Sequence, residues 1–310
     1  MENWDLIVIG AGPAGLTAGI YAGRSGLKTL VLDEKMAGGE AAVAPWIENY
    51  PGFESISGSE LVGRIAAHCR KSGAQLNELE RVASVDFSGE RKFVKTEKGE
   101  YSARAVIIAS GTRHRLLNVP GEKEFSGKGV SYCALCDGAF FKNKRVIVVG
   151  GGNSAAMTAR YLSSIVADVK LVHRRNALRA DAASVETLKE QKVQFLLNSE
   201  LKEIRGDTLV RSIILQDKST GELTELQADG VFVQVGEVPN VQFLKETGIT
   251  MDEGGYVMVD TRQRTNIPGV FAAGDVINGT VKQVGTAVGQ AIVAATEAFL
   301  YAEQPYYYKG

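Results

Sequence analysis

Two cysteines three positions apart, with an acid beside the second, are the residues in this chain best suited to chemistry: Cys133-Ala134-Leu135-Cys136-Asp137. Two intervening residues let the sulfurs meet as a small, labile disulfide. A carboxylic acid next to the pair can exchange a proton with a thiolate. The same spacing occurs in structural zinc sites, but those need four ligands. The remaining cysteine, Cys69, stands alone, and the histidines are scattered at 68, 114 and 173. No second pair exists, so no metal is expected and the pair reads as redox-active. Three cysteines are also too few for a secreted disulfide framework. Cys69 shares a helix stripe with Leu61 and Ile65 and reads as a core residue; His68 and His114 receive no role.

Two glycine fingerprints point to nucleotides that would serve such a pair. The first, Gly10-Ala11-Gly12-Pro13-Ala14-Gly15, follows a short apolar run and opens a small-residue helix. Glycines permit the tight turn and let backbone N–H groups approach a pyrophosphate, and the helix N-terminus favours the negative charge. The acids Asp33 and Glu34 fall about twenty residues on, where a carboxylate takes ribose hydroxyls. The second, Gly150-Gly151-Gly152-Asn153-Ser154-Ala155, is followed by a strand ending in His173-Arg174-Arg175, with Arg179 four residues further. A carboxylate there would select NAD, whereas cations neutralise a 2′-phosphate, so NADPH is the expected dinucleotide. Near the end of the chain Gly274-Asp275 puts a carboxylate at a strand end, within reach of a ribityl chain. A helix starting near Gln283 would turn its N–H groups toward the electron-rich edge of a reduced flavin.

The elements that must hold these groups occur twice. Asp5 to Ile9 reads as a strand, Leu16 to Ser25 as a helix, Lys28 to Asp33 as a strand, and Ser57 to Ser72 as a helix with a capping box at Ser57 and Glu60. Short antiparallel strands over 81–103 precede a strand at Ala105 to Ala109. The pattern restarts with a strand at Arg145 to Val149, a helix at Ser154 to Ser163, a strand at Asp168 to His173, short strands over 200–227 and a closing strand at Val231 to Val235. A last helix covers about Gln283 to Tyr301. This predicts an α/β chain of two Rossmann-like nucleotide-binding domains of three-layer ββα type, the second inserted into the first. The expected division is 1–115 with 244–310 for FAD, and 116–243 for NADPH and the cysteine pair. The tail Gln304-Pro305-Tyr306-Tyr307-Tyr308 reads as a solvated or dimer-packed end.

Composition narrows the function. The 35 basic residues nearly cancel the 36 acidic ones, which argues against nucleic acid or an anionic membrane as the main partner. The 35 glycines exceed the roughly 20 that average usage would give. No stretch approaches the roughly 18 apolar residues of a membrane span, and Met1 leads straight into the apolar run Leu6 to Ile9 without a signal sequence. A soluble cytoplasmic protein is expected.

Over essentially its whole length the chain resembles the low-molecular-weight thioredoxin reductases. The likeness rests on the first glycine loop, Gly38-Gly39 with Ile47-Glu48-Asn49-Tyr50-Pro51-Gly52, Cys133-x-x-Cys136-Asp137-Gly138, the second glycine loop, His173-Arg174-Arg175, and Pro268 to Asp275. The resemblance implies that Cys136 faces the flavin, Cys133 exchanges with the partner's disulfide, and Asp137 is the acid/base. It implies FAD along Gly10 to Gly15, Asp33 to Glu40, Asn49, and Asp275 to Val284, with Lys282 and Gln283 in that last stretch. It implies NADPH on Gly151 to Ala155, His173, Arg174, Arg175 and Arg179. It further implies thioredoxin or a thioredoxin-like protein as partner, a homodimer, and rotation of the inserted domain on two linkers.

Three departures stand out. Glu40 occupies a position where the family often has Gln, Ala155 to Ala159 replaces acidic residues after the second glycine loop, and Lys282 stands where Arg is usual. A Glu40 ionised near the ring would oppose an anionic reduced flavin and lower its potential. Competing readings keep the flavin and cysteines but change the donor to ferredoxin, a deazaflavin or NADH, or the acceptor to a glutaredoxin-like protein or a peroxidase subunit. A different class would be a non-catalytic flavin redox sensor, for which Asp137 has no use.

Overall fold

The computed structural model describes residues 2–44, 47–279 and 281–303. Thr280, inside the expected flavin-binding stretch, and the Tyr-rich tail at 304–308 lie outside the described residues. The chain divides into two compact units, Met1–Arg113 with Val238–Gly310, and His114–Glu237. The second unit is inserted into the first, and each is an α/β unit of Rossmann type with a parallel central sheet. The boundaries expected from sequence, 115/116 and 243/244, lie two and six residues beyond these changeovers. The crossings Thr112–His114 and Glu237–Pro239 pair as a two-stranded ribbon.

In the first unit the parallel strands run in the order Gln75–Asn77, Thr29–Leu32, Glu2–Ile9, Glu100–Ile108. Ile7 lies opposite both Leu30 and Val106. The far edge of Glu100–Ile108 is shared: its first half pairs antiparallel with Lys92–Thr96, its second half parallel with Val270–Ala272. The chain thus returns to its original sheet after the insertion. Strands covered on both faces read as continuous apolar runs, as residues 6–9, 30–32 and 105–108 do here. One face packs Leu6, Val8 and Ile107 against Ala14, Ala18 and Ala22 of the helix Pro13–Arg24, and Ala291, Ala294 and Ala298 of the helix Val284–Glu303. Small side chains let both helices lie close to the sheet. By length and composition alone Val284–Glu303 could cross a membrane, but Gly, Thr, Gln and Glu interrupt it, so it holds no unbroken apolar run of the expected length. Its alanine face is instead core within this unit.

The helix Gly58–Lys71 starts at the expected place, with the Ser57 hydroxyl accepting from the Glu60 N–H at 3.2 Å. Cys69 is fully buried in the core beside Ile65, and burial pushes its thiol up to about 11.

The second unit repeats the plan. Its sheet order is Gln194–Leu196, Asp168–Val172, Arg145–Gly150, Gly230–Gln234, Val130–Ser131, all parallel. The helix Asn153–Ser163 covers one face through Ala155, Ala159 and Leu162. An antiparallel layer, Ser199–Gly206, Val210–Asp217 and Leu223–Gln227, covers the other through Leu201, Ile204, Ile213 and Leu215. The helix Ala182–Glu190, the strand Gln194–Leu196, the strand Val130–Ser131 and the helix Ala134–Asp137 were not expected from sequence. The last two are shorter than any periodicity can show.

Candidate active site: a dithiol turn and two glycine cradles

Two of the unexpected elements, the strand Val130–Ser131 and the helix Ala134–Asp137, position the cysteine pair. Val130–Ser131 is an edge strand, with Ser131 opposite Phe232 of the neighbouring strand. The Gln234 side-chain amide donates to the Tyr132 carbonyl at 2.8 Å, fixing where the strand ends. Cys133 is extended and caps the helix Ala134–Asp137, its Sγ accepting from the Cys136 N–H at 3.2 Å. Cys133 and Cys136 form a disulfide, both half-buried, while Leu135 between them is 57% exposed. After reduction the same N–H would stabilise a Cys133 thiolate. Burial pushes the Asp137 carboxyl above the ordinary range, opposed by a hydrogen bond from the Ser131 hydroxyl to Oδ2 at 2.6 Å.

In the first unit the strand ends gather the expected flavin residues. Gly10 donates to the Leu32 carbonyl at 2.8 Å and Gly38 to the Ala11 carbonyl at 2.8 Å. A methyl group on Gly15 would run into the Gly10 carbonyl, so that glycine is demanded by packing. Gly12 and Gly39 face each other with their bare backbones: a Cβ on Gly39 would stand 3.1 Å from Gly12 Cα. No side chain caps the helix Pro13–Arg24, and no acid lies in its first turn. Gly274 closes on the same loop, where an added Cβ would stand 2.9 Å from Ala14 Cβ. This uncapped helix start, walled by glycine, fits the pyrophosphate of a dinucleotide.

The other expected flavin residues divide. Asn49 and Gln283 meet, the Asn49 amide donating to Gln283 Oε1 at 3.0 Å, and Val284 opens the last helix. Glu34 is exposed, 4.0 Å from the exposed Arg81. Glu40 is exposed on the short 3-10 turn Gly39–Val43. Lys282 turns to Tyr256, donating to its hydroxyl at 2.9 Å with the ammonium 4.2 Å from the ring centroid.

In the second unit the loop Gly150 to Ala155 opens the helix Asn153–Ser163, again without a side-chain cap or a first-turn acid. Gly152 has open space where a Cβ would project. The Gly151 carbonyl accepts from the Arg179 N–H at 2.6 Å, and Asn153 Oδ1 from the Asp181 N–H at 2.9 Å, so the arginine segment is folded back onto the glycine loop. His173 departs from the expected cation cluster. It is 6% exposed, its ring lies against Gly151, and its Nε2 is buried without a hydrogen-bond partner. Burial, then the charges of Arg179, Arg175 and Arg174, hold its pKa below the usual histidine range. The cations are therefore the three exposed guanidiniums, none of which is in an ion pair among the described residues. Unpaired arginines with an orphaned ring nitrogen beside a bare glycine loop fit a phosphorylated nucleotide.

Sequence reasoning missed the residues that hold these groups in place. Ser131 ties down Asp137, the Ala11 N–H binds Asp33, Gln290 accepts from the Gly274 N–H at 2.9 Å, and Tyr256 engages Lys282. None carries a local signal; each acts across a turn or between strands.

The conserved pattern described as "Pyridine nucleotide-disulphide oxidoreductase" matches residues 4–291. A thioredoxin reductase of Bacillus subtilis (strain 168) is 43% identical over 303 residues, covering 97% of this chain and 95% of its own. The crystal structure of thioredoxin reductase from Streptococcus pyogenes MGAS5005 superposes with a TM-score of 0.90 at 39% identity, covering 97% of this chain and 98% of that one. Thioredoxin reductase from Giardia duodenalis gives 0.93 at 36% identity, covering 98% and 100%. A dithiol turn and two dinucleotide cradles in one chain are what this likeness requires, and the chain belongs to the pyridine nucleotide-disulphide oxidoreductases and, within them, to the thioredoxin reductases.

Proposed function

We propose that the chain is an FAD enzyme that takes electrons from NADPH and reduces the disulfide of thioredoxin, working as a cytoplasmic homodimer. Binding of a flavin and a pyridine nucleotide goes with the family; the identities of FAD and NADPH are part of this reading. The observation that carries it is the dithiol turn with its half-buried acid, in the same unit as a glycine cradle edged by three arginines without an ion pair among the described residues.

When bound, the two cofactors supply the two-electron chemistry that opens the Cys133–Cys136 disulfide. FAD would be held by Gly10, Gly12, Pro13, Ala14 and Gly15, by Gly38 and Gly39 opposite them, by Asp33, Glu34, Glu40 and Asn49, and by Gly274, Asp275, Lys282, Gln283 and Val284. NADPH would be held by Gly151, Gly152, Asn153, Ser154 and Ala155, with Arg174, Arg175 and Arg179 on its 2′-phosphate. His173 would act as a neutral ring that orders the loop.

The remaining chemistry belongs to the chain's own residues. Cys133, its thiolate held by the Cys136 N–H, attacks one sulfur of the partner's disulfide. The bond to the other sulfur breaks, and Asp137, whose carboxyl burial holds above the ordinary range, gives that sulfur its proton. Cys136 then passes its proton to the Asp137 carboxylate, which hands it on to the second partner sulfur as that sulfur departs, and attacks Cys133. The mixed disulfide breaks, Cys133–Cys136 re-forms, and the partner leaves as a dithiol.

The test is anaerobic addition of equimolar NADPH or NADH to the yellow holoprotein. Bleaching by NADPH at a much higher rate than by NADH is the expected result. No bleaching by either, in a protein that dithionite reduces, would overturn the donor and direct attention to ferredoxin or a deazaflavin.

A further inference from the structure

Ser131 sits two residues before the cysteine pair, is 4% exposed, and is bound on both sides. Its hydroxyl accepts from the Cys133 N–H at 3.1 Å and lies 2.6 Å from Asp137 Oδ2, with the Cys133 carbonyl further off at 3.3 Å. A hydroxyl has one proton to donate and lone pairs with which to accept. The short contact takes the proton, so Ser131 donates to the carboxylate and accepts from the cysteine backbone. The strand Val130–Ser131 fixes this hydroxyl from the sheet side, since Ser131 is in register with the fully buried Phe232.

We propose that Ser131 is a positioning residue for the dithiol chemistry: it clamps one oxygen of Asp137 to the backbone of Cys133, so that the other oxygen is the one that carries the exchanged proton. This rests on the reading of Asp137 as the acid. The clamp fixes which oxygen is free and ties the acid's orientation to the same backbone that sets the Cys133 sulfur. It also restrains the effect of burial, because a donated hydrogen bond favours the ionised carboxylate. Without the clamp Asp137 is both misaimed and harder to deprotonate.

The groups facing Asp137 are few. Cys133 and Cys136 lie on its own turn, and Ser131 on the strand. The helix Asn153–Ser163 packs behind the turn, with Tyr161 against Gly138, and carries the exposed Arg160. Asp137 makes no ion pair with any of them among the described residues. Among the described residues Ser131 is thus the one side chain hydrogen-bonded to the acid.

The experiment is a double-mutant cycle on the holoenzyme, reading the rate of thioredoxin reduction against pH for wild type, Ser131→Ala, Asp137→Asn and the double variant. Cys133 alkylation in dithiothreitol-reduced protein is read alongside. Ser131→Ala should slow exchange about tenfold or more and move the alkaline limb to higher pH. Ser131→Thr, which keeps the hydroxyl, should return the limb to its place. Asp137→Asn should remove the limb, and adding Ser131→Ala to it should cost little more. The alkylation profile of Ser131→Ala should move as well, which a defect confined to cofactor binding would not produce. If the losses add fully and neither profile moves in Ser131→Ala, the clamp is refuted. If Asp137→Asn alone leaves rate and profile unchanged, the role of Asp137 fails instead.

Discussion

The Asp33 carboxylate accepts from the Ala11 N–H at 2.6 Å with one oxygen and from the Lys35 N–H at 2.8 Å with the other. The acid at the end of the second strand is therefore bound to the glycine turn itself. Burial pushes its pKa up, and these two backbone bonds pull against that. Asp33→Ala should cost about 1–3 kcal/mol of stability and release flavin on dilution. Glu34→Ala, at an exposed position, should leave stability nearly unchanged and weaken only flavin retention. Denaturant melts and flavin content after gel filtration check both. Equal stability losses from the two variants would contradict this division of roles.

Three guanidiniums and a neutral ring make a specific prediction for the donor. Arg174→Ala, Arg175→Ala or Arg179→Ala should each raise the KM for NADPH by about tenfold or more, the worth of a charge-assisted hydrogen bond. The KM for NADH should hardly change. Because burial lowers the His173 pKa, any histidine step in NADPH affinity should fall below pH ~6.5. Isothermal titration across that pH range, with NADPH and NADH in parallel, reads both statements.

Glu80 should make the first unit acid-sensitive. It is 3% exposed and accepts from the Asn77 amide at 3.0 Å, the Thr96 hydroxyl at 2.7 Å and the Tyr101 hydroxyl at 2.7 Å. Burial raises its pKa, but the three bonds outweigh it and hold the carboxyl below the usual range. A group whose folded pKa is depressed stabilises the fold above its unfolded value, about 4.3, and loses that contribution as pH falls through the folded value. Glu80→Gln should cost about 1–3 kcal/mol at pH ~7. The gap to wild type should close as the pH is lowered below ~4. A gap independent of pH would contradict the assignment.

Cys69 should be silent. It is fully buried, and its thiol is pushed up to about 11. Native protein reduced by NADPH should take up iodoacetamide at Cys133 and Cys136 only, with Cys69 labelled after unfolding. Mass spectrometry of the labelled peptides checks this; rapid native labelling of Cys69 would contradict it.

Much of this was legible because it is written in local pattern. The strands Glu2–Ile9 and Arg145–Gly150 carry apolar runs, residues 6–9 and 146–149, that lead into glycine, and the helices after them follow directly. Insertion showed because Gly274-Asp275, a strand-end signal, comes after the second copy is complete. What escaped has no local signal. Ser131 reaches Asp137 six residues on across a strand end, and Glu80 collects donors from three different strands. His173 looked like a cation beside Arg174 and Arg175. Its ring turns inward against Gly151 while the arginines stay exposed, and burial then lowers its pKa.

The most direct test of the electron path mixes holoenzyme, NADPH and oxidised thioredoxin under argon and counts thioredoxin thiols. Wild type should form two thioredoxin thiols for each NADPH consumed. Cys136→Ser should keep its flavin, still bleach with NADPH, and form none catalytically. Thioredoxin thiols appearing at the wild-type rate with Cys136→Ser would show that electrons do not pass through this pair.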